Sequence, residues 1–144
     1  MWPILLSAAS AWYLTGLSWT VGLVVYPSFN LVDSASWKRF HEHHSTKIAI
    51  AVGPAWLFEA LGSAWWLLTP RSSTLPYALA NGILALGTVL LTVFTAVPLH
   101  NLLSRGSNAG LIQRLNRWHL ARSLVWSSAA LASSLGLAVA CSTI

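Results

Sequence analysis

"IAIAVGPAWLFEALGSAWWLL", residues 48–68, decides what kind of fold this chain can adopt. A helix of this length rises about 1.5 Å per residue and so crosses the roughly 30 Å hydrocarbon core of a bilayer. Its one charged side chain is Glu59. Three further stretches, at about residues 2–26, 77–97 and 120–140, have the same length and apolarity, and little chain remains outside them. With 144 residues, 56% of them hydrophobic, and a mean hydropathy of +0.63, the chain is too apolar for a soluble domain of this size. The segments are continuous apolar runs without the alternation of membrane strands, which excludes a closed barrel. The expected fold is all-α: one transmembrane domain, residues 1–144, folded as an antiparallel four-helix bundle.

The first stretch reads as a retained helix. No Lys or Arg precedes it, and Trp12, Tyr13, Trp19 and Tyr26 follow without a small-residue cleavage site. The single cysteine, Cys141, allows no internal disulfide. Of the eight Lys and Arg residues, Lys38, Arg39 and Lys47 flank the first connection and Arg105, Arg114, Arg117 and Arg122 the third, leaving only Arg71 in the second. Basic loops mark the cytoplasmic side, so both termini are expected to be extracytoplasmic, in a bacterial inner membrane. The net charge of +5 is accounted for by this topology, without a nucleic-acid partner; the bilayer itself is the expected surrounding.

The chain reads as two helical hairpins with a hint of repetition. "YPSFNL" (26–31) matches "VPLHNL" (97–102), and "RFHEHH" (39–44) faces "RWHLAR" (117–122), pairing Arg39 and His41 with Arg117 and His119, and His44 with Arg122. If the halves are related, a site at their interface is natural. In either case the topology brings all five histidines, His41, His43, His44, His100 and His119, to one membrane face. They form either a solvated polar rim or one wall of a site.

Glu59 lies about 16 Å down its helix from Ile48 at about 1.5 Å per residue, near mid-membrane. An ionised carboxylate is costly there, so Glu59 must face the bundle interior and be paired or protonated. Asn81, Thr88, Thr92 and Thr95 form a polar stripe on the third helix; they satisfy their own backbone, join helices or line a site. On the fourth, His119, Arg122, Ser123 and Trp126 share a face, with Arg122 either turned inward or snorkelling to lipid phosphate. His41 and His44 stand one helical turn apart. With His100 and His119 they are the candidate ligands for a metal or haem, although no cofactor motif is present and the second Glu-x-x-His of di-iron bundles is lacking. Trp2, Trp37, Trp65, Trp66 and Trp118 fall near predicted membrane boundaries and are expected as interfacial anchors. Trp12, Thr15, Trp19 and Tyr26 share one stripe of the first helix, which packs on neighbours or lines an apolar cavity.

"VVYPSF" (24–29), then Trp37, Phe40, His41 and His44, Glu59, "TAVPLHNLLSRG" (95–106) and "HLARSLVW" (119–126) together resemble a widespread bacterial set of small four-helix membrane proteins. That set is distantly similar to the anthrone-oxygenase-like membrane proteins. The resemblance spans about residues 26–126 and implicates His44, Glu59, Pro98, His100, Asn101, Arg122 and Trp126. It departs at His119, where the pattern has Asn, and at Leu120, where it has Trp; this weighs against obligatory metal ligation by His119. The resemblance implies oxidation of a planar, lipophilic phenolic molecule without an obvious cofactor motif.

The leading expectation is therefore a small oxidoreductase or oxygenase-like enzyme acting on a phenolic or quinone-like molecule. Its site opens at the cytoplasmic end. His44 or His100 is the base, as the ordinary imidazole pKa of about 6.5 suits. Arg122 steadies the anion, Glu59 at the pocket floor binds or relays protons, and His41, Asn101, His119, Trp126 and Thr92 contact the substrate. His43 points away from His41 and His44 and is expected in solvent. Two alternatives come from other classes: a non-enzymatic metal- or haem-binding membrane module, and a proton-coupled carrier or accessory subunit, which would need a homodimer.

Overall fold

The computed structural model describes residues 1–142. They form four long helices, α1 (Trp2–Leu31), α2 (Trp37–Leu68), α3 (Ser72–Leu103) and α4 (Ala109–Ser142), each long and apolar enough to cross a membrane. The connections, 32–36, 69–71 and 104–108, are too short to do anything but reverse the chain, so the helices run antiparallel as an integral-membrane four-helix bundle. Met1 Sδ lies 4.0 Å from Cys141 Sγ, which puts both ends of the chain at the Arg71 end. The 32–36 and 104–108 loops lie at the other.

The helices are longer than the apolar runs, chiefly at the 32–36 and 104–108 end. "WKRFHEHHSTK" (37–47) is the first three turns of α2, and α4 begins at Ala109 rather than near residue 120. The reason is amphipathic continuation. Trp37 and His41, then Ile112, Leu115 and His119, keep the buried face of each helix going beyond the hydrophobic slab at helical spacing. Asn108 Oδ1 caps the start of α4, accepting the Leu111 amide at 3.0 Å, and ahead of α2 Asp33 Oδ1 accepts the Ser36 amide at 2.9 Å within the 32–36 turn.

Prolines 27 and 98 do not end their helices either. Each follows a π-helical turn, Val21–Val25 in α1 and Thr92–Ala96 in α3, at the same offset. A proline removes one amide donor and crowds the carbonyl a turn earlier, and widening the preceding turn absorbs the misfit. The "YP" and "VP" motifs therefore mark the same device in both hairpins, the firmest physical link between the two halves.

α4 packs on α1 and α3, and α1 also on α2, whereas α2 and α3 touch sparsely and leave a lateral opening. Small residues make the close crossings, as expected where lipid is as apolar as the helix faces. A Cβ on Gly62 of α2 would come 2.9 Å from the Ser7 backbone nitrogen of α1, and one on Gly136 of α4 would collide with the Trp66 ring. Trp37 and Trp66, expected as interfacial anchors, are instead buried plugs at opposite ends of the bundle, 1% and 2% exposed. Each has an indole N–H that needs an acceptor; Trp37 finds Leu103 O at 2.7 Å and Trp66 finds Thr74 Oγ1 at 3.3 Å. Trp2, Trp65 and Trp118 face outward. Trp12 and Trp19 lie on α4, donating to Ser134 Oγ and Ser127 Oγ.

Gly62→Leu and Gly136→Leu are each expected to lower stability by about 1–3 kcal/mol, the usual cost of overpacking. Gly16→Leu, at a position with open space around its Cβ, is expected to be nearly neutral. Thermal unfolding in detergent checks the contrast, and equal loss at all three positions would contradict this packing.

Candidate functional site

The helical extensions carry the titratable groups into one place. α2 contributes His41 and His44, α3 His100 and Thr92, α4 His119 and Arg122, and α1 Tyr26. His44 and His100 stack with ring centroids 6.2 Å apart, the centroids of His41 and His100 lie 5.3 Å apart, and Tyr26 meets His119 edge to face with centroids 4.8 Å apart. His43 is exposed, on the far side of α2.

Two hydrogen-bonded chains run through the cluster. In the first, Arg122 Nη2 meets His119 Nδ1 at 2.6 Å, and His119 Nε2 meets the Ser18 carbonyl oxygen at 2.8 Å. Arginine can only donate and a carbonyl can only accept, so His119 is fixed as the neutral Nε2–H tautomer. Ser123 donates to His119 O at 3.0 Å, leaving its oxygen to accept from Ser18 Oγ at 2.7 Å. On its other side Arg122 Nη1 donates to Thr92 Oγ1 at 3.0 Å, while the Thr92 hydroxyl donates to Thr88 O at 2.8 Å. Arg122 is thus turned inward and does not snorkel. Its partners Thr92, His119 and the nearby Tyr26 hydroxyl are all uncharged.

In the second chain, Tyr26 Oη, His100 and His41 follow one another: Tyr26 Oη to His100 Nε2 is 3.0 Å, and His100 Nδ1 to His41 Nε2 is 3.2 Å. Every member can both donate and accept, so the chain can be polarised in either direction. It also separates two cavities. One, of about 470 Å³, is lined by Tyr26, Thr92, His100, Arg122 and apolar residues of α2 and α3. The other, of about 500 Å³, is lined by Lys38, His41, Glu42, Ser45 and their neighbours at the loop end. Asn101, exposed, borders both beside His100. His44 Nε2 is buried without a hydrogen-bond partner.

Glu59 is placed elsewhere. Because α2 is one helix from Trp37 to Leu68, with Pro54 inside it, His44 and Glu59 are separated by about 22 Å of helix at about 1.5 Å per residue, and Glu59 does not form the floor of the histidine pocket. It builds a second polar centre, 1% exposed. There Oε1 accepts from Ser7 Oγ at 3.0 Å, Ser63 Oγ at 3.0 Å and Asn81 Nδ2 at 3.2 Å. Asn81 of the polar stripe therefore serves Glu59, while Thr88, Thr92 and Thr95 donate to their own helix backbone. Trp126, 4% exposed, stands between the two centres and borders cavities on both sides.

Among the described residues no group of three or more His, Cys, Asp or Glu side chains is arranged to hold a metal ion. The four candidate ligands His41, His44, His100 and His119 do converge, but His119 has both nitrogens engaged and His100 points its two at Tyr26 and His41. The donors face each other rather than a common point. Tyr26 is the member that sequence reasoning left out of the site. It is 2% exposed and touches His44, His100 and His119. Its signal was its place directly before Pro27, where the widened turn aims it inward.

Nitrogen NMR of isotope-labelled histidine is expected to find His119 as a single Nε2–H tautomer, becoming a mixture in Arg122→Ala. An Nδ1–H signal for His119 in the unmodified protein would contradict the hydrogen-bond assignment.

Comparison of the chain with protein-family models, with curated proteins and with solved structures finds no match in any of the three, so what the site does is argued from its geometry.

Proposed function

We propose that this protein is a small membrane-embedded oxidoreductase of oxygenase type, acting on a lipophilic phenolic or quinone-like molecule in the cavity walled by Tyr26, Thr92, His100 and Arg122. One observation carries this reading: a guanidinium whose neighbours are all uncharged faces a mostly apolar cavity, beside a hydroxyl–imidazole–imidazole chain that leads out of it. A cation held among neutral partners in a low-dielectric site is poised to stabilise an anion formed from the ligand. The chain provides for the departing proton. Tyr26 Oη takes the phenolic proton as its own passes to His100 Nε2, and His100 Nδ1 gives one to His41, which borders the loop-end cavity. His119 has no role as a base, since its tautomer is locked; it positions Arg122. His44 stacks on His100, and Thr92 orients the guanidinium from the other side.

Dioxygen is the oxidant in this reading. For a substrate with a methylene activated by a phenolic ring system, one oxygen atom becomes a new carbonyl and the other leaves as water with the two methylene hydrogens. The likeness to the anthrone-oxygenase-like set agrees with such a substrate. The basic residues at the 32–36 and 104–108 end support an orientation in a bacterial inner membrane with both termini extracytoplasmic and the loop-end cavity opening to the cytoplasm. Glu59, engaged with Ser7, Ser63 and Asn81, holds α1, α2 and α3 together and takes no part in the proton transfer.

Purified protein in nanodiscs is expected to consume oxygen with an anthrone or an alkylated hydroquinone. Arg122→Ala should lower turnover by about 10²–10³, the usual loss for an oxyanion-stabilising donor, and Tyr26→Phe by about 10²–10⁴, the range for a general acid–base group. His43→Ala should be silent. No uptake with any anthrone, hydroquinone or related phenol would sink the proposal.

A further inference from the structure

The cavity at Arg122 is not closed below. A second cavity of about 550 Å³ continues from it between α2 and α3 towards the Arg71 end, and Gly53 and Trp56 border both. The second is almost wholly apolar. Glu59 Oε1 and Ser63 Oγ along it are committed to the network with Ser7 and Asn81, Glu59 Oε2 is buried without a hydrogen-bond partner, and Leu57 and Leu86 at its rim face lipid. It runs beside α2 from Gly53 to Leu67, about 21 Å at about 1.5 Å per residue. The polar end, about 470 Å³ in volume, has room for one ring with its oxygen substituents, while the apolar end is a long groove that follows α2 and α3 and is flanked by the exposed Leu57 and Leu86. These are the dimensions of a head and a tail.

Resting on the reading of the polar cluster as a phenol site, we propose that the substrate class is a phenolic or quinol head carrying a long hydrocarbon tail: the head lies against Arg122, Tyr26 and His100, and the tail follows the α2–α3 groove past Gly53 and Trp56. The ligand enters sideways from the membrane without leaving the hydrocarbon phase. Lipid is as apolar as the groove, so the tail adds little affinity; it sets position. The sparse contact between α2 and α3 is then the entrance; the small side chains Gly53 and Ala60 keep it open, and Leu67 packed against Gly82 closes its far end.

Ala60, exposed on α2, lines the apolar cavity and not the one at Arg122, so a Phe ring there obstructs the groove and leaves the head cavity as it is. In nanodiscs, para-dodecylphenol bearing a diazirine at the tail end is expected to label residues between Ala60 and Leu67 or between Gly82 and Ala85. Excess para-cresol, which has the head and no tail, should displace the label. Ala60→Phe should reduce labelling by the dodecyl probe by at least an order of magnitude while para-cresol binding, read from tryptophan fluorescence, stays unchanged. Should that variant fail to fold, Ala64→Phe, at an exposed position one turn further along the same groove, should do the same and spare labelling by a hexyl probe. Labelling that para-cresol does not displace, or that survives the substitution, means that bulk lipid fills the groove and overturns the tail assignment with the head site intact. Absence of saturable para-cresol binding overturns the head site and the tail assignment together.

Discussion

The contact of Arg122 Nη2 with His119 Nδ1, 2.6 Å long, is the constraint on which the polar end of the bundle depends. A guanidinium in the bundle interior must be solvated by the protein, and here neutral acceptors do it: an imidazole on its own helix and a threonine on α3. Taking the imidazole's lone pair forces its proton onto Nε2 and so onto the Ser18 carbonyl of α1. One arginine thereby ties three helices together and aligns the histidine. Because neither of its partners carries a negative charge, the cation's field is left for whatever occupies the cavity.

The molecule has two polar centres, and their partition follows from the length of α2. Had residues 37–47 formed a loop folding back over the bundle, His44 and Glu59 could have shared one pocket. As three turns of helix they hold the imidazoles beyond the hydrophobic slab while Glu59 stays deep, among Ser7, Ser63 and Asn81. Trp126 lies between the two, so the deep carboxyl and the histidine cluster meet different surroundings: one a compact hydrogen-bonded knot, the other a cavity with apolar and aqueous neighbours.

The two widened turns before Pro27 and Pro98 connect the hairpins to the site. Each lets its helix continue past a residue that would otherwise end it, and each is followed by a residue the site uses, Tyr26 in α1 and His100 in α3. Beyond them α1 and α3 cover Trp37 through Phe29 and Leu103, so the hydrophobic plug at the loop end and the polar cluster just beneath it are built by the same device. At the other end Trp66, seated against Gly136, performs the same closure above the Glu59 network, whose Ser63 lies one helical turn below it.

Segment length, apolarity and the absence of strand alternation were sufficient for the four-helix membrane bundle, because a bilayer leaves a chain of this composition few alternatives. Helical periodicity likewise grouped His41 with His44, set His43 outside and put Asn81 on an inward face, while Arg122, open between the bundle interior and the lipid phosphates, is turned inward by His119 and Thr92. The helix starts were misread because hydropathy reports the slab and not the helix; Trp37 and Ile112 lie outside the apolar runs and are buried only because another helix overhangs with them. Trp37 and Trp66 were misread for a related reason: an indole near a membrane boundary has the same sequence signature whether it faces lipid or core. Tertiary structure alone decided that Tyr26 joins the cluster, that Glu59 leaves it, and that α2 and α3 stay apart. Each depends on which atoms meet across helices, and spacing along one helix fixes the direction of a side chain without fixing what it finds there.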